Sequence, residues 1–189
     1  MTYFWNGNRS SKFDGETYLE IESDVVPFEQ RPWMKAAEIT DAMIEALKSG
    51  KYQTLRCNFP NGDMVGHTGS FRAATMAIEA VDIGLARLLP VIDALGGVAI
   101  ITADHGNADE MYEIDKKTGM PKVNKDGTFK AKTSHTLNKV PCILYDNVTS
   151  GKLSLKEGDW GLSNIAATTA NLLGLEKHEA WDDSMLIIK

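Results

Sequence analysis

Acidic and histidine side chains occur together at three places in this sequence, each beside an apolar segment. Asp63 and His67 lie four residues apart in DMVGH, Asp104 and His105 are adjacent in ITADHGN, and His135 lies in TSHT. Carboxylates and imidazoles in one set suit Mn²⁺, Zn²⁺ or Fe better than Mg²⁺ or Ca²⁺ alone. Five ligands exceed the need of one catalytic ion with an open position and are fewer than two ions normally use. The sequence therefore predicts a metal centre built from these residues.

Each of these residues also has an ordinary structural explanation. Asp and His near strand ends often cap helices or form hydrogen bonds with the backbone. The pair Asp63 and His67 is a weak signal by itself, as is the pair Asp104 and His105. The metal interpretation depends on all three places meeting in the fold. The fourth histidine, His178, lies among charged residues, and its predicted position is solvated surface.

The elements that would position these residues follow an α/β pattern. The order strand, helix, strand predicts a right-handed parallel crossover. Loops after parallel strands share one edge of a sheet, where ligands gather in such folds. The two Asp and His pairs are predicted to meet there, with His135 folding in from a Lys-rich excursion with a hairpin at residues 112–133. Strands are predicted at Thr54–Phe59, Val98–Thr102 and Val140–Tyr145, and helices at Lys35–Lys48, Ser70–Leu95 and Ser163–Leu173.

Other segments give further expectations. Residues 8–33 predict a long loop, and Pro60-Asn61-Gly62 predicts a turn. Cys57 and Cys142 are predicted to be reduced, buried thiols. The strand-like run Tyr3–Trp5 has nothing before it to cover it, which leads us to expect a piece of a longer chain. The long helix is predicted to contribute apolar faces through Met76, Ile78, Val81, Ile83, Leu85 and Leu88.

Composition narrows the class of protein. The chain has 189 residues, a net charge of −6 and 43% hydrophobic residues, which is typical of a globular protein. Its Lys and Arg residues are scattered, so no nucleic-acid partner is expected. No apolar run approaches a membrane span, and no signal peptide is evident. We therefore expect a cytoplasmic location and no membrane partner.

Four motifs carry a resemblance to a known family. The stretches Asn6–Ser10 (NGNRS), Pro60–Gly69 (PNGDMVGHTG), Ile101–Asn107 (ITADHGN) and Thr133–Thr136 (TSHT) resemble the cofactor-independent phosphoglycerate mutases of the alkaline phosphatase superfamily. The resemblance implies an alkaline-phosphatase-like α/β three-layer sandwich, with a mainly parallel sheet flanked by helices, that is incomplete here. Residues 1–189 would be the C-terminal segment of the metal-binding phosphatase domain, without its N-terminal part and the inserted transferase domain.

The resemblance also implies the ligand sets. One Mn²⁺ would be held by Asp63, His67 and His135. A second Mn²⁺ would be held by Asp104 and His105, together with an Asp and a Ser from the beginning of the family's longer chains. Zn, Co or Fe are alternatives to Mn. That Ser is the family's nucleophile, so no catalytic nucleophile is expected in this chain.

The implied reaction of the parent enzyme is the interconversion of 3-phosphoglycerate and 2-phosphoglycerate in glycolysis and gluconeogenesis. It would pass through a phosphoserine and need no free bisphosphoglycerate. The isolated chain is expected to be inactive and to self-associate, whereas the parent is expected to be a monomer. Two alternatives stay open: a related metal-dependent phosphohydrolase or phosphopentomutase, and a metal-binding module without catalysis. The DMVGHTG spacing and the phrase Asn6-Gly7-Asn8 favour the mutase.

Overall fold

The computed structural model describes residues 5–189. Helices and short strands make up its regular structure. The predicted α/β class is confirmed by these elements. None of the helices in the described residues has the length and apolarity needed to cross a membrane. In chain order the elements are a 3-10 helix at Phe28–Gln30, α1 (Ala36–Lys48), α2 (Asn61–Gly66), α3 (Phe71–Ala94), β1 (Ala99–Thr102), β2 (Cys142–Tyr145), β3 (Leu153–Leu155), α4 (Asn164–Leu172) and β4 (Leu186–Ile188).

The chain divides into two units. The first unit comprises Met1–Leu88 and Asn107–Thr136, and the second comprises Leu89–Gly106 and Leu137–Lys189. The first unit contains α1 and α2, and the second contains all four strands named above and α4. The motif DMVGH and His135 therefore belong to the first unit, whereas the Asp-His pair of ITADHGN belongs to the second.

Packing against α3 holds the short helix α2 in place. Val65 of α2 is completely buried and packs with Ala73 and Ala77 of α3. Phe28 and Met34 cover the same cluster. A helix of six residues is too short to be stable in water by itself, so this contact is what keeps α2 helical.

The predicted turn at Pro60-Asn61-Gly62 is wrong, because Asn61 begins α2. Pro60 lies just before the helix, where its missing N–H leaves no hydrogen bond unmade. The Asn61 side chain is buried and donates to the carbonyls of Pro32 at 3.0 Å and Trp33 at 2.9 Å. These bonds anchor the beginning of α2 to the preceding loop.

The long helix has the predicted extent, but its buried face differs from the predicted one. Leu88 is buried as expected, whereas Met76, Ile78 and Ile83 are exposed. A helix with apolar residues on several sides does not reveal from sequence which side will face the core. The small side chains of Ala73 and Ala77 allow α2 to approach α3 closely. The buried positions are Ala73, Ala74, Ala77, Leu88 and Ile92.

The strands pair differently from the prediction. β1 and β2 form an antiparallel pair in which Ala99 lies opposite Tyr145 and Thr102 opposite Cys142. β3 and β4 form a second antiparallel pair. The predicted parallel crossover is therefore not formed among the described residues. Sequence order alone does not fix strand direction, and the 102-to-142 connection returns the chain beside the strand that it left.

Residues 54–59 were predicted as a strand, but the structure assigns none there. A strand is defined by its hydrogen bonds to a neighbour, and this segment has no strand partner among the described residues. Both cysteines are free thiols, but Cys57 is exposed and Cys142 is only half-buried, so the prediction that both are buried is wrong. The run at Tyr3–Trp5 falls, apart from Trp5, outside the described residues.

The hairpin predicted in the Lys-rich excursion is confirmed. Antiparallel bridges join Tyr112 with Ala131 and Val123 with Phe129. Lys130 and Lys122 lie beside Glu113 and lower the pKa of its carboxyl group. The returning side of this hairpin leads directly into the TSHT motif.

Within the second unit, Thr168 connects α4 with the segment just before β4. The Thr168 hydroxyl donates to the Asn164 carbonyl at 2.8 Å and accepts the backbone N–H of Met185 at 2.9 Å. Ser163, the residue before α4, makes no side-chain capping hydrogen bond. The Asn164 side chain instead accepts the N–H of Gly161 at 2.8 Å.

Replacing Thr168 by Val tests this connection. The substitution keeps the side-chain shape but leaves the buried N–H of Met185 without its acceptor, so we expect a loss of about 1–3 kcal/mol in the free energy of unfolding. Urea unfolding measures the loss. The control is Thr169→Val on the same helix, where the half-buried side chain should tolerate the change within about 0.5 kcal/mol. Equal losses in the two variants would contradict the assignment.

Candidate metal centre

Helix α2 places Asp63 and His67 on one face. Asp63 lies in its first turn, and His67 is the residue that ends it. Side chains four residues apart in a helix are neighbours. The His67 Nε2 atom lies 3.1 Å from Asp63 Oδ1. The local fold of DMVGH therefore creates a two-residue ligand pair by itself.

His135 completes the group from the segment that follows the hairpin. Its Nε2 atom lies 3.0 Å from Asp63 Oδ1 and 3.1 Å from His67 Nε2. The two rings are tilted by 44°, with centroids 5.0 Å apart. Among the described residues, these three are the one group of three or more His, Cys, Asp or Glu side chains whose ligand atoms lie within 4.8 Å of one another.

The spacing of the three atoms fits a metal ion. At bond lengths of about 2.1 Å, separations of about 3 Å correspond to angles of about 90° at a shared ion. One carboxylate and two imidazoles would therefore suit Mn²⁺, Zn²⁺ or Fe at this place. We call Asp63, His67 and His135 the ligand triad.

A backbone carbonyl orients the His67 ring of the triad. The Nδ1 atom of His67 lies 2.5 Å from the carbonyl oxygen of Thr133, which can only accept, so Nδ1 carries the proton. The Nε2 atom of neutral His67 is then an unprotonated lone pair facing the Asp63 carboxylate. Two acceptors at 3.1 Å repel each other. A hydrogen bond donated by His135 Nε2, or a metal ion bound between the atoms, would remove this repulsion.

Two glycines of the GHTG sequence make room for this arrangement. A Cβ atom at Gly66 would lie 2.4 Å from the side-chain oxygen of Asn107. A Cβ atom at Gly69 would lie 2.8 Å from Cβ of Ala131, and the φ angle of Gly69 is +73°, which strains other residues. The glycines thus let the segments that carry Asn107 and Thr133 approach α2.

Asp104 and His105 lie in the second unit. Their closest charged atoms, His105 Nε2 and Asp104 Oδ1, are 3.8 Å apart. The Nδ1 atom of His105 lies 3.4 Å from the carbonyl of Gly106. No third ligand joins them in the part of the chain that the structure describes. Their role as ligands of a second ion stays a prediction.

Sequence reasoning missed two residues that contact the triad. The Asn107 amide donates to Asp63 Oδ1 at 2.8 Å, and Thr133 supplies the carbonyl that holds His67. Both lie inside quoted motifs, Asn107 at the end of ITADHGN and Thr133 at the beginning of TSHT. Their positions inside these motifs were the one feature of the sequence that could have pointed to Asn107 and Thr133. An Asn or a Thr does not by itself indicate a role at a metal site.

The class of protein follows from a family comparison that agrees with this site. Residues 1–177 match the family model described as Metalloenzyme superfamily, and the chain belongs to that superfamily. The chain is 46% identical, over 98% of its length, to the 2,3-bisphosphoglycerate-independent phosphoglycerate mutase of Trypanosoma brucei brucei, of which it covers 34%. It is 45% identical to a probable enzyme of the same name from Leptospira interrogans, with the same coverage of both chains.

A solved structure agrees in fold. The phosphoglycerate mutase of Leishmania mexicana, crystallised at low cobalt concentration, superposes with a TM-score of 0.95 and 47% sequence identity. The match covers 100% of this chain and 35% of that one. The chain thus spans about a third of the length of the curated relatives that it matches.

Proton positions in two histidines test the geometry of the site. We expect His67 to carry its proton on Nδ1, which faces the Thr133 carbonyl. We expect His178 to carry it on Nε2, because its Nδ1 accepts the backbone N–H of Ala180 at 3.1 Å. Nitrogen-15 NMR at pH 9, where imidazole is ordinarily neutral, distinguishes the tautomers in the metal-free chain. A His67 ring protonated on Nε2 would contradict the inferred orientation.

Proposed function

We propose that residues 1–189 are the C-terminal segment of the phosphatase domain of a cofactor-independent phosphoglycerate mutase. The N-terminal part of that domain and the inserted transferase domain would lie outside this chain. The similarity to enzymes of this name over 98% of the chain supports the proposal. The parent would interconvert 3-phosphoglycerate and 2-phosphoglycerate without free bisphosphoglycerate, in glycolysis and gluconeogenesis.

The observation that carries the proposal is the convergence of the ligand triad. Its atoms lie 3.0 to 3.1 Å apart, and the contact of His67 Nδ1 with the Thr133 carbonyl leaves the Nε2 lone pair of His67 available to a metal ion. We propose that the triad holds one Mn²⁺, with Zn, Co or Fe as alternatives. A mixed set of one carboxylate and two imidazoles suits these ions. Asp104 and His105 would contribute to a second ion with ligands from outside this chain.

Residues of this chain would bind the first metal ion and orient its ligands. Asp63 would supply the negative charge of the first site, and the two histidines would supply neutral nitrogen ligands. Thr133 would hold His67 in the tautomer that presents Nε2. The bound metals would lower the pKa of the nucleophilic hydroxyl and neutralise charge on the phosphoryl oxygens. That hydroxyl would belong to a Ser outside this chain, which would become the phosphoserine.

The remaining expectations stay proposals of the same kind. We propose a cytoplasmic parent that acts as a monomer on small phosphorylated glycerates and binds neither nucleic acid nor membrane. The isolated chain would self-associate, because it exposes apolar side chains that include Met76, Ile78 and Ile83. Light scattering over a concentration series should show a mass that rises with concentration. A constant monomer mass would contradict this.

Activity of the parent and of the chain tests the function. With Mn²⁺ present, we expect the full-length parent to convert 3-phosphoglycerate to 2-phosphoglycerate and the isolated chain to show no conversion above background. His67→Ala in the parent should lower kcat by at least about 100-fold, since even outer-shell changes weaken metal sites by 10- to 100-fold.

The matched control is His178→Ala, an exposed histidine of the second unit, which should leave kcat within about twofold. A panel that includes phosphopentoses and simple phosphate esters separates the mutase from its alternatives. Conversion by the isolated chain that is lost in His67→Ala would contradict the assignment of the nucleophile outside this chain.

A further inference from the structure

Asn107 is a buried polar residue in contact with the ligand triad. Its side chain is 4% exposed. The amide nitrogen donates to Asp63 Oδ1 at 2.8 Å and approaches the backbone oxygen of Asp63 at 3.3 Å. The contacted carboxylate atom is the one that lies beside both histidine nitrogens. Asn107 therefore acts on the atom at which the triad converges.

The other end of the amide is unusual. The side-chain oxygen of Asn107 is buried without a hydrogen-bond partner among the described residues. It lies where a Cβ atom at position 66 would come within 2.4 Å. Burial of an unpaired oxygen lowers stability, so the fold keeps this side chain at some cost. The amide cannot turn round, because its oxygen would then face the Asp63 carboxylate and repel it.

We propose that Asn107 is a positioning residue for the metal centre and that Gly66 exists to admit it. By donating one hydrogen bond, Asn107 occupies one acceptor site of Asp63 Oδ1 and leaves another for the ion. The carboxylate is thus fixed as a ligand through the same oxygen that faces His67 and His135. This inference rests on the proposed metal site, and it explains why a glycine stands between the two ligands of DMVGH.

Cobalt binding by the 189-residue chain tests the proposal, with the visible Co²⁺ spectrum and the Co²⁺ affinity as readouts. Asn107→Ala should weaken binding by about 10- to 100-fold and shift the absorption bands, because the Asp63 ligand loses its orientation. Gly66→Ala should weaken binding to a similar degree by displacing the intact amide.

The double variant is the sharpest comparison. Without the Asn107 side chain, the nearest remaining atom to a Cβ at position 66 is the backbone nitrogen of Ala108 at 3.5 Å, which is an ordinary contact. Gly66→Ala should therefore weaken Co²⁺ binding no further in the Asn107→Ala background. Since Ala favours a helix more than Gly, it should leave the thermal midpoint of that background unchanged or raise it.

The control variant is Asn164→Ala, which removes a buried amide of the second unit that donates to the carbonyl of Asp183 at 2.8 Å. It should lower the thermal midpoint and leave the Co²⁺ affinity and spectrum unchanged. If Asn107→Ala bound Co²⁺ with the affinity and visible spectrum of the wild-type chain, the positioning role of Asn107 would be wrong, and the proposed metal site would be unaffected. Failure of the wild-type chain to bind Co²⁺ would overturn the metal site and this inference together.

Discussion

Electrostatic repulsion among closely spaced acceptor atoms governs the candidate site. Asp63 Oδ1, His67 Nε2 and His135 Nε2 lie 3.0 to 3.1 Å apart. The Thr133 carbonyl accepts a hydrogen bond from Nδ1–H of His67, so the Nε2 atom of a neutral His67 has no proton to donate. A metal ion bound by the three atoms, or a hydrogen bond donated by His135 Nε2, removes this repulsion. The close approach of three ligand atoms is what makes the triad a candidate metal site.

Close backbone approach is what makes this arrangement possible. α2 has only six residues and is held by Val65 in the core and by Asn61 on the preceding loop. Gly66 and Gly69 remove the side chains that would keep neighbouring segments away. Gly66, His67 and Gly69 of GHTG thus each have a reason in packing or in ligand geometry. The motif therefore provides both a metal ligand, His67, and the close contact between segments that the site needs.

The sequence revealed the ligand types better than the framework that positions them. Asp63 and His67 were predictable as ligand types that follow a predicted strand, whereas the helix that places them on one face was not expected. Residues 54–59 were misjudged because strand formation depends on a neighbour that local sequence does not reveal. Asn107 was overlooked because its role arises from two contacts, with Asp63 and Gly66, that exist only after folding.

The buried face of α3 shows the same limit. Large apolar residues such as Met76 and Ile83 predicted core positions, yet alanines face α2 and allow its approach. The α/β class and the positions of α1, α3 and β1 could be read from periodicity, because those elements follow local pattern. The pairing direction of β1 and β2 could not, since it is set by the path of the chain between them.

Anomalous diffraction from crystals of this chain grown with Mn²⁺ tests the central claim most directly. The metal site assigned to the triad predicts a strong manganese peak at about 2.1 Å from Asp63 Oδ1, His67 Nε2 and His135 Nε2 together. No peak at this position under saturating Mn²⁺, or a peak bound by other residues while the triad retains its spacing, would contradict the claim that these three side chains form a metal centre.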